Sequence, residues 1–307
     1  MSKNRSPLLN CKQTERIMKA KLFCFVFLCV LFLPEMLSQN YIPYHQKVVS
    51  AEDAITMENY DFALNMYCDA FSSVNYSFAK DLYNAAICAA ITADTAKMFS
   101  LIEHCLKQGV DFDIFETNTA VFATYFSDKQ WERLKSNTEN YKINYLNQIN
   151  TRYKDMLDSL NKIDQAVRSQ NEYYFLHRPK SKKAEIQREK IRYVDSTNCE
   201  FIKQLIIKYG YPSERNMGIG NTMCYYGHVC LWHITDSSFL EMQKNAFLNG
   251  EIPVERYVAK MEYCHKDCYN YFWKEKSADE NCDKKRAQIG FPQSHFFEHL
   301  QNYYKKT

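Results

Sequence analysis

His233 and Asp236 have the types and spacing for acid–base chemistry. An imidazole oriented by a carboxylate takes and returns a proton near neutral pH, and a residue three positions on shares a helix face. No nucleophile at a usual spacing accompanies them. Nor is there a glycine-rich phosphate loop or a Gly-x-Ser-x-Gly elbow. A histidine within CYYGHVCLWHIT could equally be a satisfied core residue. A second set is metal-like: Cys224 and His228 are four apart, as are Cys264 and Cys268. Four such ligands can enclose zinc with Zn–S distances of about 2.3 Å, although structural zinc sites usually set two residues between their cysteines. Disulfides are the competing use of the same thiols. Cys268 with Cys282 would close a short charged loop, and Cys224 or Cys230 with Cys264 would form a second bridge.

Helices must position these side chains. Asp195 or Ser196 is expected to cap a helix whose apolar positions are Phe201, Ile202, Leu205, Ile206 and Tyr209. Gly210 stops it and Pro212 forbids continuation. Asn221 or Thr222 would cap the helix bearing His233. Ser238 with Glu241 reads as the capping box of the next, which ends at Asn249-Gly250. A last helix starts at Pro253 and carries Tyr257, Met261, Cys264 and Cys268 on one face. Upstream, residues 141–169 read as one long polar helix with the stripe Tyr145, Ile149, Tyr153, Leu157, Leu160, Ile163 and Val167. Asp164 and Arg168, four apart, are a natural ion pair on it. The basic stretch 178–192 reads as a solvated loop entering a helix, and it lacks the interleaved aromatics of a base-stacking surface.

The first half has a different rhythm. AEDAITMENYDFALNMYCDAF places Ala51 and Ala54 on one helix and Tyr60, Ala63, Tyr67 and Ala70 on the next, with a turn at Glu58-Asn59. A shift of 35 residues lands Ala51 on Ala86, Ala54 on Ala89, Ala63 on Met98, Tyr67 on Ile102 and Ala70 on Cys105. Small residues that let paired helices approach, with aromatics between, resemble tetratricopeptide repeats, here degenerate; a generic stack of helical hairpins is the alternative. Residues 112–125 and 129–135, anchored by Trp131 and Leu134, would form a third pair.

The chain has 307 residues, 46% hydrophobic and 15% aromatic, with seven glycines and seven prolines. This composition excludes disorder and disfavours a turn-rich β protein, so an all-α fold is expected. A net charge of +3 suggests no polyanionic partner. Lys19 and Lys21 precede an uncharged run, LFCFVFLCVLFL at 22–33, broken by Pro34 and followed by Ser38. That is the layout of a secretory signal peptide. The run is 12 residues long, short of the roughly 20 a membrane span needs. Export to the periplasm or beyond is expected, with a signal anchor in the inner membrane as the alternative, and Met18 as an alternative start. Three segments follow: a leader (1–39), tetratricopeptide-like helices (42–140) and a compact helical domain (141–307).

With these motifs in order, residues from about 145 to 292 resemble the uncharacterised bacterial family called domain of unknown function 6624. The resemblance lies in an Asp-Gln-x-x-Arg helix (Asp164, Gln165, Arg168), an Asp-x-x-Asn helix ending in Gly-x-Pro (Asp195, Asn198, Gly210, Pro212), and a helix bearing His233, with Asp236 and Phe239 following. Trp232 stands where many members carry Gln, and Glu262-Tyr263 where an acidic-Arg pair is usual. The family implies no reaction. Polar groups from separate helices are costly to bury unless they satisfy one another. Asp164, Arg168, Asp195, Asn198 and His233 are therefore expected to meet, as a binding site or a structural cluster. The leading functional expectation is a protein- or peptide-binding module in the cell envelope, needing no cofactor and contacting membrane only through the leader. The alternatives are an envelope hydrolase using His233 and Asp236, or a small metal-binding helical domain.

Overall fold

Short caps and small residues set the architecture from the first hairpin onward. In the computed structural model, which describes residues 40–169, 179–219, 231, 233–265, 280–296 and 299–300, α1 (Ile42–Thr56) and α2 (Tyr60–Ser72) pack as a hairpin. Its turn places Glu58 in the left-handed region (φ 60°), and the Asn59 side chain caps α2 through the Phe62 amide. The next hairpin, α3 (Ala79–Ile91) and α4 (Thr95–Lys107), repeats the device 35 residues on. Ala93 has φ 58°, and Asp94 caps α4 through the Lys97 amide. All ten residues paired by that shift, from Ala51 with Ala86 to Ala70 with Cys105, are buried. The expected third pair breaks into the short helices α5 (Asp113–Thr117) and α6 (Thr119–Phe122), a 3-10 turn, and α7 (Lys129–Ser136). Trp131 and Leu134 are buried there as anchors, with Trp131 against Phe112, Phe122 and Phe126.

The expected connector helix is two helices, α8 (Thr138–Leu146) and α9 (Thr151–Ser169). Asn150 interrupts it, because its side chain caps the new helix at the Tyr153 amide. Next come α10 (Lys182–Tyr209), α11 (Glu214–Met217), α12 (Ser237–Leu248), α13 (Val254–His265) and α14 (Glu280–Ile289). Every regular element among the described residues is helical, so the fold is all-α. None of the described helices is long and apolar enough to cross a membrane; the expected leader lies outside the described residues.

Two apolar cores share one compact unit, residues 40–307. The first is built from α1 to α7. The second gathers Tyr153 and Leu157 of α9, Ile202 and Leu205 of α10, and Phe239, Phe247 and Val258. Aromatic stacking joins them: the His45 ring lies between Phe78 (5.8 Å) and Phe247 (5.4 Å). The Tyr41 amide donates to the Leu248 carbonyl (3.0 Å), beside Gly250, where a Cβ would meet the Tyr41 ring at 2.2 Å. The joint also buries carboxyls. Tyr44 donates to Asp81 (2.6 Å), and Glu214 accepts from the Ala79 amide (3.1 Å) and the Tyr76 hydroxyl (3.4 Å). Burial raises Asp81 to about 7 and Glu214 to about 8.

Candidate functional site

The pairing of α9 with α10 faces two carboxylate-bearing helices across one seam, and His233 closes it. Asp164 and Arg168 sit on the last turns of α9, and Asp195 lies across from them on α10. Asp195 is not the helix cap expected from sequence. Ser181 caps α10 through the Ala184 amide, and the helix runs unbroken through Asp195 to Gly210, where φ is +83°.

Asp164 is the hub. It is 1% exposed and accepts from the His233 Nδ1 (2.9 Å), Arg168 Nη2 (3.1 Å) and Nε (3.3 Å), and Gln165 Nε2 (2.7 Å). Burial alone would push its carboxyl up, but the Arg168 and His233 bonds outweigh burial and hold it below the ordinary range. Arg168 also donates to Asp195, forming a carboxylate–guanidinium–carboxylate bridge. Asp195 behaves in the opposite way: burial raises it despite Arg168. Environments that push two neighbouring carboxyls apart are the usual mark of divided acid–base roles.

Asn198 lies one turn beyond Asp195 on the same helix face. It is 4% exposed, and its Nδ2 has no hydrogen-bond partner among the described residues. The buried Lys260 ammonium donates to the Leu231 carbonyl (3.1 Å), two residues before His233, tying α13 to that segment. Burial lowers Lys260 to about 8. No spacing signal marks this lysine; only its place among the apolar residues Val258, Ala259 and Met261 hints at burial.

Four of the residues singled out in the sequence thus meet: Asp164, Arg168, Asp195 and His233. Asp236 does not join them. The expected His233–Asp236 pair assumed one continuous helix, yet the chain leaves the helix at Ile234. Asp236 instead caps α12, accepting from the Ser238 amide (3.0 Å) and Phe239 amide (3.1 Å), and pairs with Lys203 (2.7 Å). It, and not Ser238, is the cap. Lys203 holds its carboxyl well below the usual range.

Of the cysteine–histidine metal set, Cys224, His228 and Cys268 lie outside the described residues, as do Asn221, Thr222 and Trp232. Cys264 is a free thiol, so the second bridge expected for it is not formed. Cys282 is disulfide-bonded, and Cys268, the partner expected for it, is outside the described residues. An open cavity of about 320 Å³ lies elsewhere, between α4 and α8, lined by Leu106, Val110, Phe112, Lys135, Tyr141 and Lys142.

No family model, curated protein or solved structure matches the chain. The resemblance to domain of unknown function 6624 therefore rests on its motifs alone.

Proposed function

We propose that this chain is an exported acid–base hydrolase in which His233 is the proton carrier and Asp164 its orienting carboxylate. One observation carries the reading: a buried carboxylate holds the imidazole Nδ1 at 2.9 Å. With Nδ1–H donated to Asp164, the lone pair sits on Nε2, the nitrogen for which the described residues supply no partner. That nitrogen is the base, and Asp164 stabilises the imidazolium that forms. Arg168, fixed by two carboxylates, presents N–H groups and positive charge beside it, where developing negative charge needs them. Water is the nucleophile for such a site. The leader motif around Lys19, Lys21 and residues 22–33 supports export, and the 35-residue pattern of the first half supports a degenerate tetratricopeptide-like array.

The test is a panel of chromogenic carboxylic and phosphate esters assayed with the full chain, His233→Ala and Asp164→Asn. Activity should fall at least a hundredfold in both variants while helical circular dichroism is kept. Activity undiminished in His233→Ala would refute the assignment.

A second reading, a protein- or peptide-binding module, is favoured by the open cavity beside α4 and α8, a mixed surface where Lys135 and Lys142 stand with Asp111, Asp113, Glu116 and Glu139 around Leu106, Val110 and Phe112. Its test is binding of the full chain to a peptide array. Lys142→Glu should remove the captured peptides if the cavity holds them, and unchanged capture would exclude it.

A further inference from the structure

We propose that Asp164, Asp195 and His233 form a divalent-cation site whose cation position Arg168 fills until an ion displaces it. The proposal deepens the hydrolase reading at the same residues: with an ion bound, His233 serves as a ligand and the ion, in place of the imidazole, activates the water. One ligand atom from each of the three lies within 4.8 Å of the others. Ligands bound to one ion at about 2.0–2.2 Å stand roughly 3–4 Å apart, so modest side-chain rotation completes the contact.

Charge and chemistry point the same way. With neutral His233, two carboxylates and one guanidinium leave the cluster with one uncompensated negative charge. A divalent ion in place of the guanidinium would neutralise that excess. Asn198 supplies an independent indication. It is a buried carboxamide whose Nδ2 has no partner among the described residues, one turn from Asp195 on the same face, and burying such a group unsatisfied is costly. Turned about its last bond, it offers Oδ1 as a fourth, neutral ligand. Two carboxylates, an imidazole and a carboxamide oxygen suit Mn²⁺ or Zn²⁺ and not a soft ion. The Arg168 side chain is 24% exposed, so its charge can move into water when an ion enters. A bound ion would lower the pKa of a coordinated water, which is what a water-using hydrolase requires.

The experiment is equilibrium binding of MnCl₂ and of ZnCl₂ to the full chain, by calorimetry and, for Mn²⁺, by the loss of its free-ion paramagnetic resonance signal. The expected result is one ion bound by the wild type, binding lost in Asp195→Asn, and affinity raised about tenfold or more in Arg168→Met, which removes the competing charge. Arg168→Met also strands Asp164, so each variant's fold is checked by circular dichroism. Should it fail to fold, wild type against Asp195→Asn decides. No stoichiometric binding in the wild type or in a folded Arg168→Met overturns the site, as does binding that survives Asp195→Asn. Binding that Arg168→Met leaves unchanged overturns the displacement. A negative result leaves metal-free hydrolysis dependent on His233 standing, so the two ideas fail separately.

Discussion

Glu214 makes the joint between the two cores lose stability as pH rises from about 4.5 to about 8, and Glu214→Gln should remove that loss. Its carboxyl accepts from the Ala79 amide and the Tyr76 hydroxyl and has no basic partner at ion-pair distance among the described residues. Burial raises it to about 8 from its ordinary 4.5. The folded chain therefore keeps a proton that the unfolded chain has already released between those values. Unfolding releases a proton there, so stability falls as pH rises through the window, by about 1.4 kcal/mol per pH unit, and levels off above about pH 8. The full loss is about 5 kcal/mol, from a gap of roughly 3.5 pH units at 1.36 kcal/mol each. Glutamine stays neutral and can still accept from the Ala79 amide. Two neighbours complicate the wild-type profile alone: Asp81, raised to about 7, steepens the decline, and His45, lowered to about 4 by burial, opposes it below about 6.5. Both are common to wild type and variant, so the difference between them isolates Glu214. Urea denaturation of both proteins from pH 5 to pH 9 should show that difference growing by about 4 kcal/mol in favour of the variant. A difference that stays constant across the range would refute the burial of a charge-poor carboxyl at this joint.

Other expectations follow from single contacts. Asp236→Ala should lower stability by about 1 kcal/mol through loss of the α12 cap while leaving any His233-dependent activity intact; loss of activity would restore the pairing suggested by sequence. Arg168→Ala should cost about 3 kcal/mol in chemical denaturation because it strands the buried Asp164, and a near-zero cost would mean that Asp164 is solvated. Gly250→Ala should cost about 2–3 kcal/mol, since its Cβ would strike the Tyr41 ring and its φ of +69° disfavours a side chain; an unchanged thermal midpoint would show that the two cores are not locked there.

What was legible in the sequence was whatever repeats along a helix. Ala51, Ala54, Ala86 and Ala89 mark close helix approach, and all four are buried. Gly210 ends α10 as a left-handed stop should. Four of the five polar residues expected to meet do so, Asn198 excepted, because buried carboxylates must find donors, and Asp164 finds them on two helices. The errors have equally local causes. Residues 182–194 are rich in charge and short of an apolar stripe, so the N-terminal half of α10 read as a basic loop and Asp195 as a cap. The three-residue spacing of His233 and Asp236 suggests one shared helix face, although the helix ends between them.

The joint was invisible for a different reason: its partners lie far apart in the chain, Glu214 being 135 residues from the Ala79 amide it accepts. One trace was present all the same. Asp81 falls on the face of α3 that also carries Phe78, Leu82, Ala85 and Ala89, and an acid on an apolar stripe has to be answered from elsewhere. Tyr44 answers it from α1. The candidate site and the joint then stand in contrast. In the first, Arg168 and His233 keep a buried carboxylate ionised; in the second, protonation spares a buried carboxyl the cost of charge. The ionised cluster, which keeps an imidazole aligned and two carboxylates within reach of one cation, is the one equipped for chemistry, while the protonated one holds the two cores together.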